Sequence, residues 1–108
     1  MSQHDDLVYI QDMKSFSLEV IEYTKDLTYE DFLGNRILQL AVVKLLENIG
    51  EASTKVSTLY KESHTEIPWS QIKGMRNRLV HGYGKINFQI VFNTCKKEIP
   101  NLLSFIKS

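Results

Sequence analysis

The chain has 108 residues, enough for one domain around a single modest core. Hydrophobic residues make up 43% and charged residues 24%, a balance that excludes a disordered chain. Thirteen basic residues cancel thirteen acidic ones, so bulk positive charge is excluded as a route to nucleic acid, and any RNA contact must come from a local, salt-sensitive basic cluster.

The predicted elements are helical throughout. Asp5 and Asp6 can cap a first helix that runs to about Lys25, with Leu7, Ile10, Lys14, Leu18 and Ile21 at helical spacing. Thr28-Tyr29-Glu30-Asp31 reads as a capping box with Asp in place of the usual Glu or Gln, and should start a short turn of helix or lead into the next helix. The clearest helix follows. Ile37, Leu38, Ala41, Val42, Leu45, Ile49, Ala52, Val56 and Leu59 form a stripe with steps of three and four, backed by a polar face of Lys44, Glu47, Lys55 and Lys61. Gly50 sits mid-helix, where glycine costs about 1 kcal/mol relative to alanine; close approach by another helix or a kink would explain it.

Ser63 to Ile67 is a polar connection. Pro68 suits the first turn of a third helix, which carries the chain to His81, and Gly82 and Gly84 should end it. Asn87 is a plausible cap for the last helix, with Phe88, Val91, Phe92, Cys95, Ile99, Leu102 and Ile106 facing inward and Pro100 kinking or shortening it. No alternating strand pattern competes. The expected fold is an all-α, single-domain antiparallel bundle of four main helices, with room for a fifth short one.

Chemistry concentrates in Arg76-Asn77-Arg78-Leu79-Val80-His81-Gly82-Tyr83, which places a permanent cation, one of only three histidines and a phenol within eight residues. A histidine can move the proton of a ribose 2′-hydroxyl, and an arginine can hold a phosphate whose charge builds in the transition state. That is the minimal equipment for cutting RNA without a metal. On a regular helix, however, Arg76 and His81 lie five positions apart and point about 140° away from each other, so they could not grip one phosphate. Arg78 and His81, three apart, would share a face. Either the helix distorts at its glycine end, or a second chain completes the site, with two arginines and two histidines around one dimer cleft.

Plainer readings stand beside this one. A histidine at a helix C-terminus can simply interact with the helix dipole, Arg76 can form a structural ion pair with Glu51, and Tyr83 can be a packing anchor. Trp69 reads as a plug at the corner between the second and third helices. Cys95 reads as a small core hydrophobe, and alone it permits neither an intrachain disulfide nor a cysteine zinc site. His4 and His64 lack partners at metal-ligand spacing, so neither a metal nor any other cofactor is expected. No apolar run reaches the roughly 18 residues needed to span a membrane, and the acidic start, Met1 to Asp6, does not fit a secretory signal. A cytoplasmic protein without membrane attachment is the expectation.

The chain resembles the HepT-like toxins of the HEPN superfamily, from two-gene systems that pair a HEPN protein with a minimal nucleotidyltransferase. The resemblance rests on Ile49-Gly50-Glu51-Ala52, on Ile67-Pro68-Trp69, and on Gly74-Met75-Arg76-Asn77 running into Val80-His81-Gly82-Tyr83. It implies one HEPN-like helical domain over residues 1–108 and a homodimeric, metal-independent endoribonuclease. Arg76 and His81 would then be the active pair at the dimer cleft, with Asn77 in support. The products would carry a 2′,3′-cyclic phosphate. The resemblance also implies a cognate nucleotidyltransferase antitoxin that silences the toxin by transferring AMP to Tyr83. Such a group would add negative charge and bulk two residues from His81. Where many relatives have an aromatic and an acidic residue after this tyrosine, the chain has Gly84 and Asn87. Lys73, Arg78 and Lys85 flank the motif as candidate RNA phosphate contacts. Two rival functions remain: a non-catalytic HEPN subunit that binds substrate for a nucleotidyltransferase, and a plain helical dimerisation domain.

Overall fold

The computed structural model describes residues 3–81 and 85–106, and of Gln3, His4, Arg76, Val80 and His81 the backbone alone. Its frame is a pair of long helices, α1 (Gln3–Thr24) and α3 (Arg36–Lys55), which make the most extensive contact in the fold. The buried face of α1 is Asp6, Ile10, Met13, Ser17, Val20 and Thr24, in alternating steps of four and three. This corrects the stripe expected from the sequence, because Leu7 and Leu18 are 52% and 44% exposed. The reason is local. Ser17 donates to Met13 O at 2.7 Å and Thr24 to Val20 O at 2.8 Å, so both hydroxyls enter the core with their hydrogen bonds made.

Asp6 is buried too, and does not cap its own helix, which begins earlier. Its carboxylate accepts from Ser57 N at 2.8 Å and from Ser57 Oγ at 2.7 Å. Ser57 lies just past the end of α3, so the start of α1 meets the end of α3 and the pair is antiparallel.

α2 (Tyr29–Leu33) starts at the expected capping box: Thr28 Oγ1 accepts from Asp31 N at 3.1 Å, and Thr28 N donates to the Asp31 carboxylate at 3.1 Å. Phe32 is fully buried and touches Phe88 and Phe92. The Gln39 amide donates to Phe32 O at 2.9 Å and Leu33 O at 3.0 Å, closing the end of α2.

α3 buries Val42, Leu45, Leu46, Ile49 and Ala52, but the ends of the expected stripe do not hold: Ile37 is 81% and Leu59 75% exposed. The helix stops at Lys55, and Ser57 caps a separate α4 (Thr58–Ser63) by accepting from Tyr60 N at 3.2 Å. That turn re-phases Leu59 away from the core. α3 passes Gly50 unbroken, and a Cβ there would stand 3.4 Å from Ile72 O. Of the two explanations for this glycine, close approach is the one found. Trp69 plugs the following corner, with Nε1 donating to His64 O at 3.0 Å and its ring edge-on to Tyr60.

The third helical run is shorter than expected. α5 (Trp69–Lys73) ends at Gly74, α6 (Met75–Leu79) follows, and the chain then leaves the helix. β1 (Val80–His81) pairs antiparallel with β2 (Lys85–Ile86), placing Val80 opposite Ile86 and His81 opposite Lys85. Asn87 N donates to Leu79 O at 3.0 Å, so a terminal helix carbonyl is satisfied by the returning chain instead of by another helical turn.

Asn87 caps α7 (Phe88–Asn93) as expected, accepting from Ile90 N at 3.1 Å. A π-helical turn, Thr94–Glu98, leads into α8 (Ile99–Ile106). The run does not end at Pro100. The proline ring would crowd the carbonyl of Lys96, and widening the preceding turn removes that conflict. Val91, Cys95, Ile99, Leu102 and Ile106 are buried as expected, while Phe88 and Phe92 are half-buried. Lys96 reaches back to the carbonyls of Thr24 and Lys25, supplying at the end of α1 the cation which that helix lacks. The described residues thus form an all-α fold of four helical runs, with short α2 and α4 and a two-residue strand pair added.

The Ser57 side-chain and backbone hydrogen bonds hold the Asp6 carboxyl below its ordinary value of 3.8. A depressed folded-state pKa stabilises above the unfolded value and is lost as pH falls through the folded one. Thermal midpoints measured from neutral to strongly acidic pH should therefore fall more steeply below 3.8 for the native chain than for Asp6→Asn. Parallel curves would contradict this role.

Candidate active site

The motif occupies the junction between α6 and the strand pair. Arg76 and Asn77 are the second and third residues of α6, and His81 ends β1. Tyr83 and the side chains of Arg76 and His81 lie outside the described residues. The backbone nevertheless settles one question raised by the sequence. His81 is not on the helix that carries Arg76, so neither the angular separation of that pair nor the shared face of Arg78 and His81 applies. The helix that carries Arg76 ends at Leu79, two residues before His81.

Asn77, Lys73 and Lys85 are exposed. Lys73 ends α5, and Lys85 stands directly across the strand pair from His81, where opposed Cα atoms are about 4.5–5.5 Å apart. An open groove of about 390 Å³ lies beside Lys85, walled by Tyr29, Leu33 and Phe88.

Arg78 is engaged within the protein. Its Nη1 donates to Glu98 Oε1 at 3.0 Å and Oε2 at 3.3 Å, and its Nη2 to Gln71 O at 3.1 Å. The Gln71 amide also donates to Glu98 Oε1, and Thr94 Oγ1 to Glu98 Oε2 at 2.8 Å. Burial raises the Glu98 pKa, but the hydrogen bonds from Thr94, Arg78 and Gln71 and the Arg78 charge outweigh it, and the net shift is downward. Gln71, Thr94 and Glu98 escape a reading of the sequence. Only the Thr94 to Glu98 spacing of four is a local signal; Arg78 and Glu98 are twenty residues apart. On the inner side of α6, Met75 and Leu79 are buried against the core.

Elsewhere, Cys95 is 1% exposed and burial pushes its thiol up to about 12, so it is no nucleophile. His64 stacks on Tyr60 at 3.9 Å between ring centres. No helix among the described residues is long and apolar enough to cross a membrane.

The family described as Ribonuclease HepT-like matches residues 9–108. The chain belongs to the HepT-like ribonuclease family. It is 33% identical over 102 residues to a Methanocaldococcus jannaschii protein named as a putative RNase, an alignment covering 94% of each chain. It is 36% identical to a Thermococcus cleftensis protein named as a probable ribonuclease HepT, over 87% of this chain and 86% of that one. A Caldanaerobacter subterraneus subsp. tengcongensis protein named as a putative RNase is 40% identical, over 82% of this chain and 79% of its own length. No solved structure matches the chain significantly. Membership of the HepT-like family supports an RNase function and agrees with the helical architecture.

The state of Cys95 is directly checkable. A thiol-specific reagent at neutral pH should leave the native HepT-like chain unlabelled and modify one thiol after denaturation; rapid native labelling would contradict the burial described.

Proposed function

We propose that this HepT-like chain is a metal-independent endoribonuclease toxin, acting as a homodimer whose cleft brings together Arg76 and His81 of two copies. The observation that carries this reading is Arg76, Asn77 and His81 where a short helix passes into a strand, followed in the sequence by Tyr83, in a chain of a ribonuclease family. One His81 takes the proton of a ribose 2′-hydroxyl as that oxygen attacks the neighbouring phosphorus. The bond to the 5′-oxygen breaks, the second His81 protonates that leaving oxygen, and a 2′,3′-cyclic phosphate remains. Arg76 neutralises the charge that builds on the phosphate, with Asn77 in support.

Lys73 and Lys85, both exposed, bind flanking phosphates; Arg78 already has Glu98 and Gln71 as partners. The aromatic wall of the groove beside Lys85 suits an unstacked base. Ile37 and Leu40, one turn apart near the start of α3 and 81% and 51% exposed, leave an apolar face that supports assembly with another chain. Regulation falls to a cognate nucleotidyltransferase that adds AMP to Tyr83, whose negative charge repels RNA from the cleft.

His81→Ala and Arg76→Ala should each slow RNA cleavage by about 10²–10⁴-fold while the chain stays folded and dimeric. Unchanged cleavage by either variant rules out this mechanism, and a monomer in sedimentation at micromolar concentration rules out the composite cleft. Lys85→Ala should weaken RNA binding and lower the slope of log affinity against log salt by about one. Co-expression with the nucleotidyltransferase should leave an AMP-sized addition on Tyr83 by peptide mass spectrometry. His81-dependent cleavage without that addition would replace modification with inhibition by binding.

A further inference from the structure

We infer that Glu98 is a positioning residue for RNA cleavage, acting through Arg78 to fix the short helix that carries Arg76 and delivers the chain to His81. The inference rests on the reading of those two residues as the reacting pair.

α6 has five residues. A helix of that length has no stability of its own and sits where its surroundings hold it. Gly74 separates it from α5, and the strand pair begins directly after Leu79. On its inner side Met75 and Leu79 are buried, a hydrophobic contact that resists withdrawal but does not by itself fix rotation or sliding. Beside the Asn87 N–Leu79 O hydrogen bond at its end, the directional side-chain contacts of α6 among the described residues come from Arg78. Its planar fork has one arm on Glu98 and the other on the Gln71 carbonyl, so α5, α6 and the π-helical turn converge on one guanidinium. Two-armed arginine contacts of this kind fix geometry in a way that a point charge cannot.

Glu98 is itself held. Thr94 donates to one carboxylate oxygen at 2.8 Å, Gln71 to the other, and Arg78 to both. It is the last residue of the widened turn, so the distortion that accommodates Pro100 also carries the anchor of α6. Arg78 lies two residues after Arg76 and three before His81; a shift of α6 would move both ends of the proposed pair together. A displacement of about 1 Å in a reacting group can cost on the order of 10²-fold in rate.

The test is RNA cleavage kinetics for the native chain, Glu98→Ala, Glu98→Gln, Arg78→Ala and the double variant, well below every melting midpoint. Hydrogen exchange of the amides of residues 75–81 is measured alongside. Glu98→Ala should lower kcat by about ten- to a hundred-fold with KM changed less than about threefold, and exchange over 75–81 should quicken while α1 and α3 stay protected. Glu98→Gln, which keeps size and an acceptor oxygen, should recover part of the rate. The double variant should be no slower than the slower single one, because both substitutions open the same contact.

Unchanged kcat and exchange in Glu98→Ala would overturn the inference. So would a rise in KM and a lower salt slope in Arg78→Ala alone, which would make Arg78 a phosphate ligand. A rate loss equal to the loss of folded protein would reduce the contact to plain stability and overturn it as well. Should the native chain itself cleave no RNA, the nuclease reading fails, and the exchange data alone decide whether Glu98 holds α6.

Discussion

The antiparallel contact between α1 and α3 is the constraint on which the other elements depend. Met13, Val20, Leu46 and Ile49 are fully buried there and in the adjoining core, and each such side chain stabilises the fold by about 1.5–3 kcal/mol. Polar contacts define the register at the two ends of α1. Asp6 meets Ser57 at one, and Lys96 meets the carbonyls of Thr24 and Lys25 at the other. The second of these comes from the C-terminal run, so the same contact that finishes α1 also sets where the π-helical turn lies. From that turn Glu98 reaches α6. A line of physical contact thus joins the long helices to the segment bearing Arg76 and His81.

The candidate site uses the fold economically. A helix end leaves carbonyls without partners, and here one of them is satisfied by the strand that returns at Asn87. The junction that results lets two residues five apart escape the fixed angle of a helix. Lys85 is brought opposite His81 by the same strand pairing. In a chain of zero net formal charge, a favourable field for a phosphate has to come from local groups, and placed cations are one source.

Much of this was legible in the sequence where the signal is local. The Thr28 capping box and the Asn87 cap depend on residues three apart and were readable as such. Gly50 announced a close approach because glycine inside a helix needs a reason. The face of α1 was misread because Asp6, Ser17 and Thr24 are polar yet buried, and their hydrogen bonds to Ser57, Met13 and Val20 are invisible in an apolar pattern. The helix end at Leu79 was misplaced because a strand pair of two residues leaves no alternation to detect. Arg78 reads as a candidate phosphate contact, and its partner Glu98 is not legible beside it because it is distant in sequence and arrives only by tertiary folding.

The chemistry at the phosphate is decisive. Its sharpest test is cleavage of a defined RNA by the purified chain in excess chelator, with the new 3′ ends identified by mass spectrometry. Transfer of the phosphate to the neighbouring 2′-hydroxyl without a metal predicts undiminished cleavage and 2′,3′-cyclic phosphate ends. Loss of cleavage on chelation, or 3′-hydroxyl ends, would contradict it.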